Sequence, residues 1–268
     1  QYQQSIIQKL KNDLEHPLTL NSELYFKNNI NYYFDKIYVL NLERHTTKRN
    51  SIKQLFDLFN INNYQFYSAI DGENDPKLLN KYDIYSQTPF TERENKLGRK
   101  LIGSVGVLAN LLSVKNIIID AKKNKYKRIL FMEDDIILHK DFNSLFTDIT
   151  SKIDSDWKIL YLGVQNIINE KTEIMNNTYN CNINSSGGWS FGIDSSVFDE
   201  LIQECDKESL PFDSGPLHYL REKYPEQCKV IYPNLCICDT SSSSIRKYKR
   251  TLKGDAIKYK WNLDEYNI

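Results

Sequence analysis

The stretch RILFMEDDIILHKDF, Arg128 to Phe142, carries more information than any other part of this chain. An apolar run from Ile129 to Met132 ends in Glu133, Asp134 and Asp135, and a second apolar run, Ile136 to Leu138, follows at once. Consecutive acids at the end of a buried strand are costly unless something neutralises them. They point to a cation. An all-oxygen donor set suits a hard ion, Mn²⁺ or Mg²⁺, of the kind that also holds substrate phosphates. The plain alternative is a solvated turn in a hairpin between the two apolar runs.

Outward from this stretch, strand-like and helix-like patterns alternate. Lys36 to Leu42 reads as the first strand, followed by a polar run to Arg49. A helix from about Lys48 to Asn60 would put Ile52, Leu55, Phe56 and Phe59 on one face. Asn63 to Ala69 is a second strand, leading into Ile70-Asp71-Gly72. Residues 73–102 are polar, contain Pro76, Pro89 and Gly98, and read as a long irregular loop. Val105 to Lys123 is a helix, and the acidic strand follows it. Trp157 to Gly163, Gly188 to Ile193 and Val230 to Ile237 are further strands, with a helix at about Ser195 to Cys205. This alternation predicts an α/β fold with a mostly parallel central sheet and helices on both faces. In such sheets ligands bind beyond the carboxyl ends of the strands, which is where the acids fall. Residues 3–15 place Ile6, Ile7 and Leu10 at helical spacing. The expected organisation is a helical appendage over 1–30 and one α/β domain over 31–268.

Composition narrows the classes. The chain has 268 residues, enough for a sizeable core, and its 35 basic and 35 acidic residues cancel. Nothing in that balance suggests a nucleic-acid partner. No apolar run reaches the ~20 residues of a membrane span. The five cysteines, Cys181, Cys205, Cys228, Cys236 and Cys238, are odd in number and lack zinc spacing. They read as free thiols in a cytoplasmic or other reducing compartment. Gln1 in place of an initiator Met suggests an excised domain of a longer protein.

Several short motifs stand in order. Val39-Leu40-Asn41-Leu42-Glu43-Arg44 with Arg49 fits a "VxNLxRxxxR" strand, and Ala69-Ile70-Asp71-Gly72 fits "A(V/I)DG". Gly103-Ser104-Val105-Gly106 fits the first half of "GxVGCxxSH". Met132-Glu133-Asp134-Asp135-Ile136 with Phe142 fits "LEDDV…F", and Tyr161-Leu162-Gly163 follows. Gly188-Trp189-Ser190, Pro211-Phe212-Asp213 and the stretch from Pro233 through Ser244-Ile245-Arg246 complete the series. Together these blocks, over residues 36–246, resemble glycosyltransferase family 25, which includes lipopolysaccharide β-galactosyltransferases and collagen hydroxylysine galactosyltransferases. The chain departs from the family where Val107 and then Asn110-Leu111 replace Cys and Ser-His.

The resemblance implies a GT-A type nucleotide-sugar-binding fold. It also implies an inverting, metal-dependent transfer of galactose or glucose from a UDP-sugar to a glycan or a collagen-like hydroxylysine. The alternative is an inactive nucleotide-sugar-binding module of the same fold. Metal ligands would be Asp135, Glu133 and the late Asp239, with Asp239 otherwise a solvated residue of a serine-rich loop. Glu133 could instead bind donor hydroxyls. Asp134 should face the opposite side if the strand persists through it, or cap a turn. Asn41, Arg44 and Arg49 would hold the uracil and ribose, with Asp71 and Gly72 on the ribose side. Lys48 and Arg49 read otherwise as an exposed first helical turn, and Asp71-Gly72 as a simple turn. Arg246, with Lys247, Lys249 and Arg250, would close over the diphosphate or else be a solvated charge run. Trp189 would wall the sugar site or pack in the core. Asp213 would be the base, or a helix N-cap before Pro216. A metal-dependent nucleotidyltransferase is disfavoured, because residues 36–50 carry no glycine for a phosphate loop. The residues leave the oligomeric state open.

Overall fold

The computed structural model describes residues 28–165, 172–181, 186–239, 241 and 250–268. The expected helix over 3–15, nearly all of the expected appendage and Arg246 lie outside these residues. A short helix α1 (Ile30–Tyr33) leads into β1 (Lys36–Asn41), α2 (Thr46–Leu58) and β2 (Tyr64–Ser68). Next come α3 (Pro76–Gln87), α4 (Glu92–Leu97), α5 (Val105–Lys123), β3 (Arg128–Glu133), β4 (Ile136–Leu138) and α6 (Phe142–Thr150). The remainder is β5 (Ile159–Gln165), β6 (Thr178–Asn180), β7 (Ser186–Asp194), α7 (Phe198–Asp206), α8 (Pro216–Lys223), β8 (Cys228–Ile231), β9 (Cys236–Cys238) and α9 (Leu252–Tyr259).

Seven strands form the main sheet, in the order β2-β1-β3-β7-β5-β8-β6. The β1–β2, β1–β3 and β5–β8 pairings are parallel, and β7 runs antiparallel to both β3 and β5. The sheet is buried on both faces, which is why its strands read as continuous apolar runs. Alternate residues serve opposite sides. Tyr38, Leu40, Ile129, Phe131, Ile159 and Tyr161 join one cluster with Leu108, Leu111, Val114 and Ile117 of α5. Ile37, Val39, Leu130, Met132, Leu160 and Leu162 join the other with Ile52 and Phe56 of α2 and Phe142 and Phe146 of α6. Full burial of a side chain such as Phe131 contributes about 2–3 kcal/mol. Helices thus cover both faces, the α/β architecture expected for this sequence.

β4 leaves the main sheet. It pairs with β9 in a separate two-stranded sheet, with Ile136 opposite Cys238 and Leu138 opposite Cys236. β3 and β4 are therefore not a hairpin, and the acidic triplet is the joint between the two sheets. Trp189 of β7 helps fix this arrangement. Its indole N–H donates to the Cys236 carbonyl at 3.0 Å, across Gly163 of β5. A side chain at Gly163 would collide with that indole and with the Cys236 carbonyl, so the three strands can approach only at glycine.

Two expectations are corrected here. The segment 73–102 is not irregular. Asp75 caps α3, with Pro76 in its first turn. Thr91 and Glu94 form a reciprocal capping box on α4, and Gly98 ends that helix in the left-handed conformation. Behind these caps lies a buried ion pair, Glu94 with Lys100 at 3.6 Å. The stretch Val230–Ile237 is not one strand either. It breaks at Pro233 and Asn234, and its halves, β8 and β9, belong to different sheets.

Candidate functional site

The carboxyl ends of β1 and β3, the loop after β2 and the start of α5 enclose one cleft. Its lining includes Arg44, His45 and Lys48 after β1, Asp71, Gly72 and Glu73 after β2, and Asn110 and Ser113 on α5. Glu133, Asp134 and Asp135 form the rest of its wall. Parallel pairing of β1 with both β2 and β3 puts these ends side by side. Gly72 lets the α5 amino terminus come close: a Cβ there would lie 2.9 Å from the Val105 carbonyl oxygen and 3.0 Å from the Ala109 Cβ.

Glu133 ends β3, while Asp134 and Asp135 form a turn. Because the strand stops at Glu133, Asp134 is not turned to the opposite face; all three acids reach the same cleft. Asn41, 2 % exposed, donates from Nδ2 to Asp134 Oδ2 at 2.7 Å, and its Oδ1 has no partner. Lys48 donates to Asp134 Oδ1 at 3.2 Å and to Asp135 Oδ2 at 3.4 Å. Asp135 Oδ1 is buried without a hydrogen-bond partner. Burial pushes the Asp135 carboxyl up to about 6; Lys48 opposes the shift, while Asp134 and Asp239 add to it. Glu133 lies well above the ordinary carboxylate range through burial first, then the charges of Asp135 and Asp134. Burial works against the charged form of Lys48, but Asp135 and Asp134 outweigh it and its pKa is raised.

The other expected residues distribute as follows. Arg44 forms ion pairs with Asp71 and with Glu73, the latter at 3.3 Å. Arg49 lies outside the cleft lining, stacked 4.4 Å over the Phe66 ring. Asp239 follows β9; its N–H donates to the Asp135 carbonyl at 2.8 Å, and its Oδ1 accepts from Ser241. Trp189 is 4 % exposed in the core, edge-on to Trp261, and does not line the cleft. Asp213 is not the N-cap of α8, where Gly215 stands with no side-chain bond. Instead Asp213 Oδ2 accepts from the Gly187 N–H at 3.3 Å, and its charge reaches Glu133. Leu111, at the departure from the motif, is fully buried, and its neighbour Asn110 lines the cleft.

Sequence reasoning missed Lys48, taken as an exposed helical turn. A signal was present. Lys48 and Arg49 fall in the first turn of α2, which has no acid and no side-chain cap. Cations there oppose the helix dipole and require a partner across the chain.

A family model described as "Glycosyltransferase family 25 (LPS biosynthesis protein)" matches residues 34–186, which span β1, the cleft and the acidic turn. The chain belongs to glycosyltransferase family 25. It is a glycosyltransferase, and its family implies a nucleotide-sugar donor and an acceptor. No curated protein matches it. Among solved structures it is similar to a glycosyltransferase involved in glycosylation of the major capsid of PBCV-1, with 12 % identity over 71 % of this chain and 68 % of that one, TM-score 0.32. It is also similar to mannose-1-phosphate geranyltransferase from Thermus thermophilus, with 10 % identity over 73 % and 72 % of the two chains, TM-score 0.32.

Among the described residues, no helix is long and apolar enough to cross a membrane. Nor do three or more His, Cys, Asp or Glu side chains there form a group arranged to enclose a metal ion. The donor chemistry nevertheless suits a hard dication. Asp135 presents an unpartnered buried oxygen, and Glu133 and Asp239 are its acidic neighbours.

Proposed function

We propose that this family 25 glycosyltransferase moves galactose or glucose from a UDP-sugar to a hydroxyl of a glycan or a collagen-like hydroxylysine, with inversion. The observation that carries the reading is the convergence of Arg44, Asp71, Gly72 and the three consecutive acids on one cleft at the carboxyl ends of β1 and β3, with Asn41 buried behind it and bonded to Asp134. Arg44 and Asp71 offer guanidinium and carboxylate groups to a base and ribose, and Asn41 holds Asp134 in place from behind the cleft. Asp135, with Glu133 and Asp239, would hold Mn²⁺ or Mg²⁺, which when bound neutralises charge on the departing diphosphate.

Asp213 is the proposed base. It accepts the acceptor's hydroxyl proton as that oxygen bonds to the anomeric carbon. The carbon–oxygen bond to the diphosphate breaks, and its electron pair leaves with UDP. The bond from the Gly187 N–H holds one Asp213 oxygen in place and leaves the other for the acceptor. We further propose a reducing compartment, which suits five free, buried thiols.

The test is a panel of UDP-glucose, UDP-galactose and UDP-GlcNAc scored by UDP release with and without Mn²⁺. The expected result is Mn²⁺-dependent release from one hexose donor and its loss in Asp135→Asn. No release from any donor, with UDP binding retained, would favour the inactive binding module instead.

A further inference from the structure

Lys48 is the one cation that touches the acidic turn among the described residues. It is held there by weak means. Its Nζ stands 3.2 Å from Asp134 and 3.4 Å from Asp135, both longer than a strong charge-assisted bond. Asp134 has a second partner in Asn41, whereas the other oxygen of Asp135 has none. The satisfaction of the pair is therefore lopsided: Asp134 is complete and Asp135 is half made.

The geometry points to Lys48 as a resident counter-ion of Asp134 and Asp135, which a dication must displace from Asp135 in order to bind, the freed ammonium then turning to the donor's diphosphate. This rests on the metal-dependent reading above. A lysine suits such a role. Its ammonium is a compact charge on a flexible stem, with rotatable donors and no fixed fork to lock it onto a carboxylate. Its side chain is 19 % exposed, so it has a path into the cleft that it lines. An ammonium that has lost Asp135 regains an anionic partner when the diphosphate arrives. Dication and donor should then bind cooperatively, each strengthening the other by the same factor.

The experiment is a Mn²⁺ titration of the intact metal-free protein, followed by the EPR signal of free Mn²⁺, with and without UDP. Lys48→Met is expected to bind Mn²⁺ about tenfold more tightly than wild type, because the competing state is removed. UDP is expected to tighten Mn²⁺ binding about fivefold or more in wild type and by much less in Lys48→Met. Lys48→Arg keeps the charge and the fold, and its bidentate fork is expected to weaken Mn²⁺ binding. Unchanged or weaker Mn²⁺ affinity in Lys48→Met, or unchanged or tighter affinity in Lys48→Arg, would overturn the displacement while leaving the metal site intact. Absence of Mn²⁺ binding in wild type and both variants would overturn the metal reading itself.

Discussion

Two of the places where this protein shelters acids treat them in opposite ways. In the lobe between β2 and α5, Glu94 is 2 % exposed and fully engaged. It accepts from the Thr91 N–H at 2.9 Å, the Thr91 hydroxyl at 3.0 Å, the Leu101 N–H at 3.1 Å and the Tyr85 hydroxyl at 3.0 Å. Its partner Lys100 donates to the Thr88 carbonyl and hydroxyl at 2.8 Å each. The Thr91 N–H foremost, and the other donors with it, hold the Glu94 carboxyl down at about 2. At the acidic turn, Asp135 has an oxygen with no partner and a carboxyl pushed up to about 6. The direction of the shift separates the two. A charge that serves the fold is surrounded by donors; a charge that serves a ligand is left partly unmet until the ligand comes.

The contrast can be broken or sharpened by mutation. The largest effect expected is on transfer: Asp135→Asn should lower kcat/KM about a thousandfold, roughly 4 kcal/mol. Thermal unfolding of the same variant should show no loss of stability, since it removes a desolvated, half-partnered charge. A fall in Tm with activity retained would reverse the assignment of the two regions. Lys100→Met should do the opposite. It breaks a buried ion pair, leaving Glu94 without its counter-charge at a cost of about 3 kcal/mol in denaturant unfolding, and leaves Mn²⁺ affinity unchanged.

Gly72→Ala tests the contact between cleft and helix. Crowding against the Val105 carbonyl and the Ala109 Cβ is expected to cost about 1–2 kcal/mol and to weaken UDP binding, read by urea titration and calorimetry. The smallest effect concerns acid. Glu94 is expected to contribute stability above its unfolded value of 4.5, lost as pH falls toward about 2. A plot of Tm against pH should lose part of its slope in that window in Glu94→Gln; an unchanged slope would mean that this carboxylate is not held as described.

Much of the fold was legible because burial on both sheet faces writes itself as apolar runs. The bounds of α5 and the core of β3 follow from residue pattern alone, and the three acids at the end of β3 announce the cleft. What escaped depends on partners distant in sequence. The α3–α4 lobe lacks a strong apolar stripe and is made by caps at Asp75 and Thr91 and by the Glu94–Lys100 pair. Nothing local says that β4 pairs with β9 rather than with β3. Lys48 becomes meaningful only once α2 is docked beside a strand whose sequence lies 86 positions later. Trp189 sits in a strand that reads equally as sugar wall or as core, and contact with Cys236 and Trp261 places it in the core.

The acidic turn has one foot in each sheet: Glu133 is the last residue of β3, and Asp135 stands one residue before β4, bonded through its carbonyl to the residue after β9. The spacing between these two carboxylates is therefore a mechanical gauge of how the small sheet lies against the large one. Asp135 is tied to the small sheet twice, by the Asp239 N–H on its carbonyl and, through the adjoining Ile136, by the β4–β9 ladder, while Glu133 is held in β3.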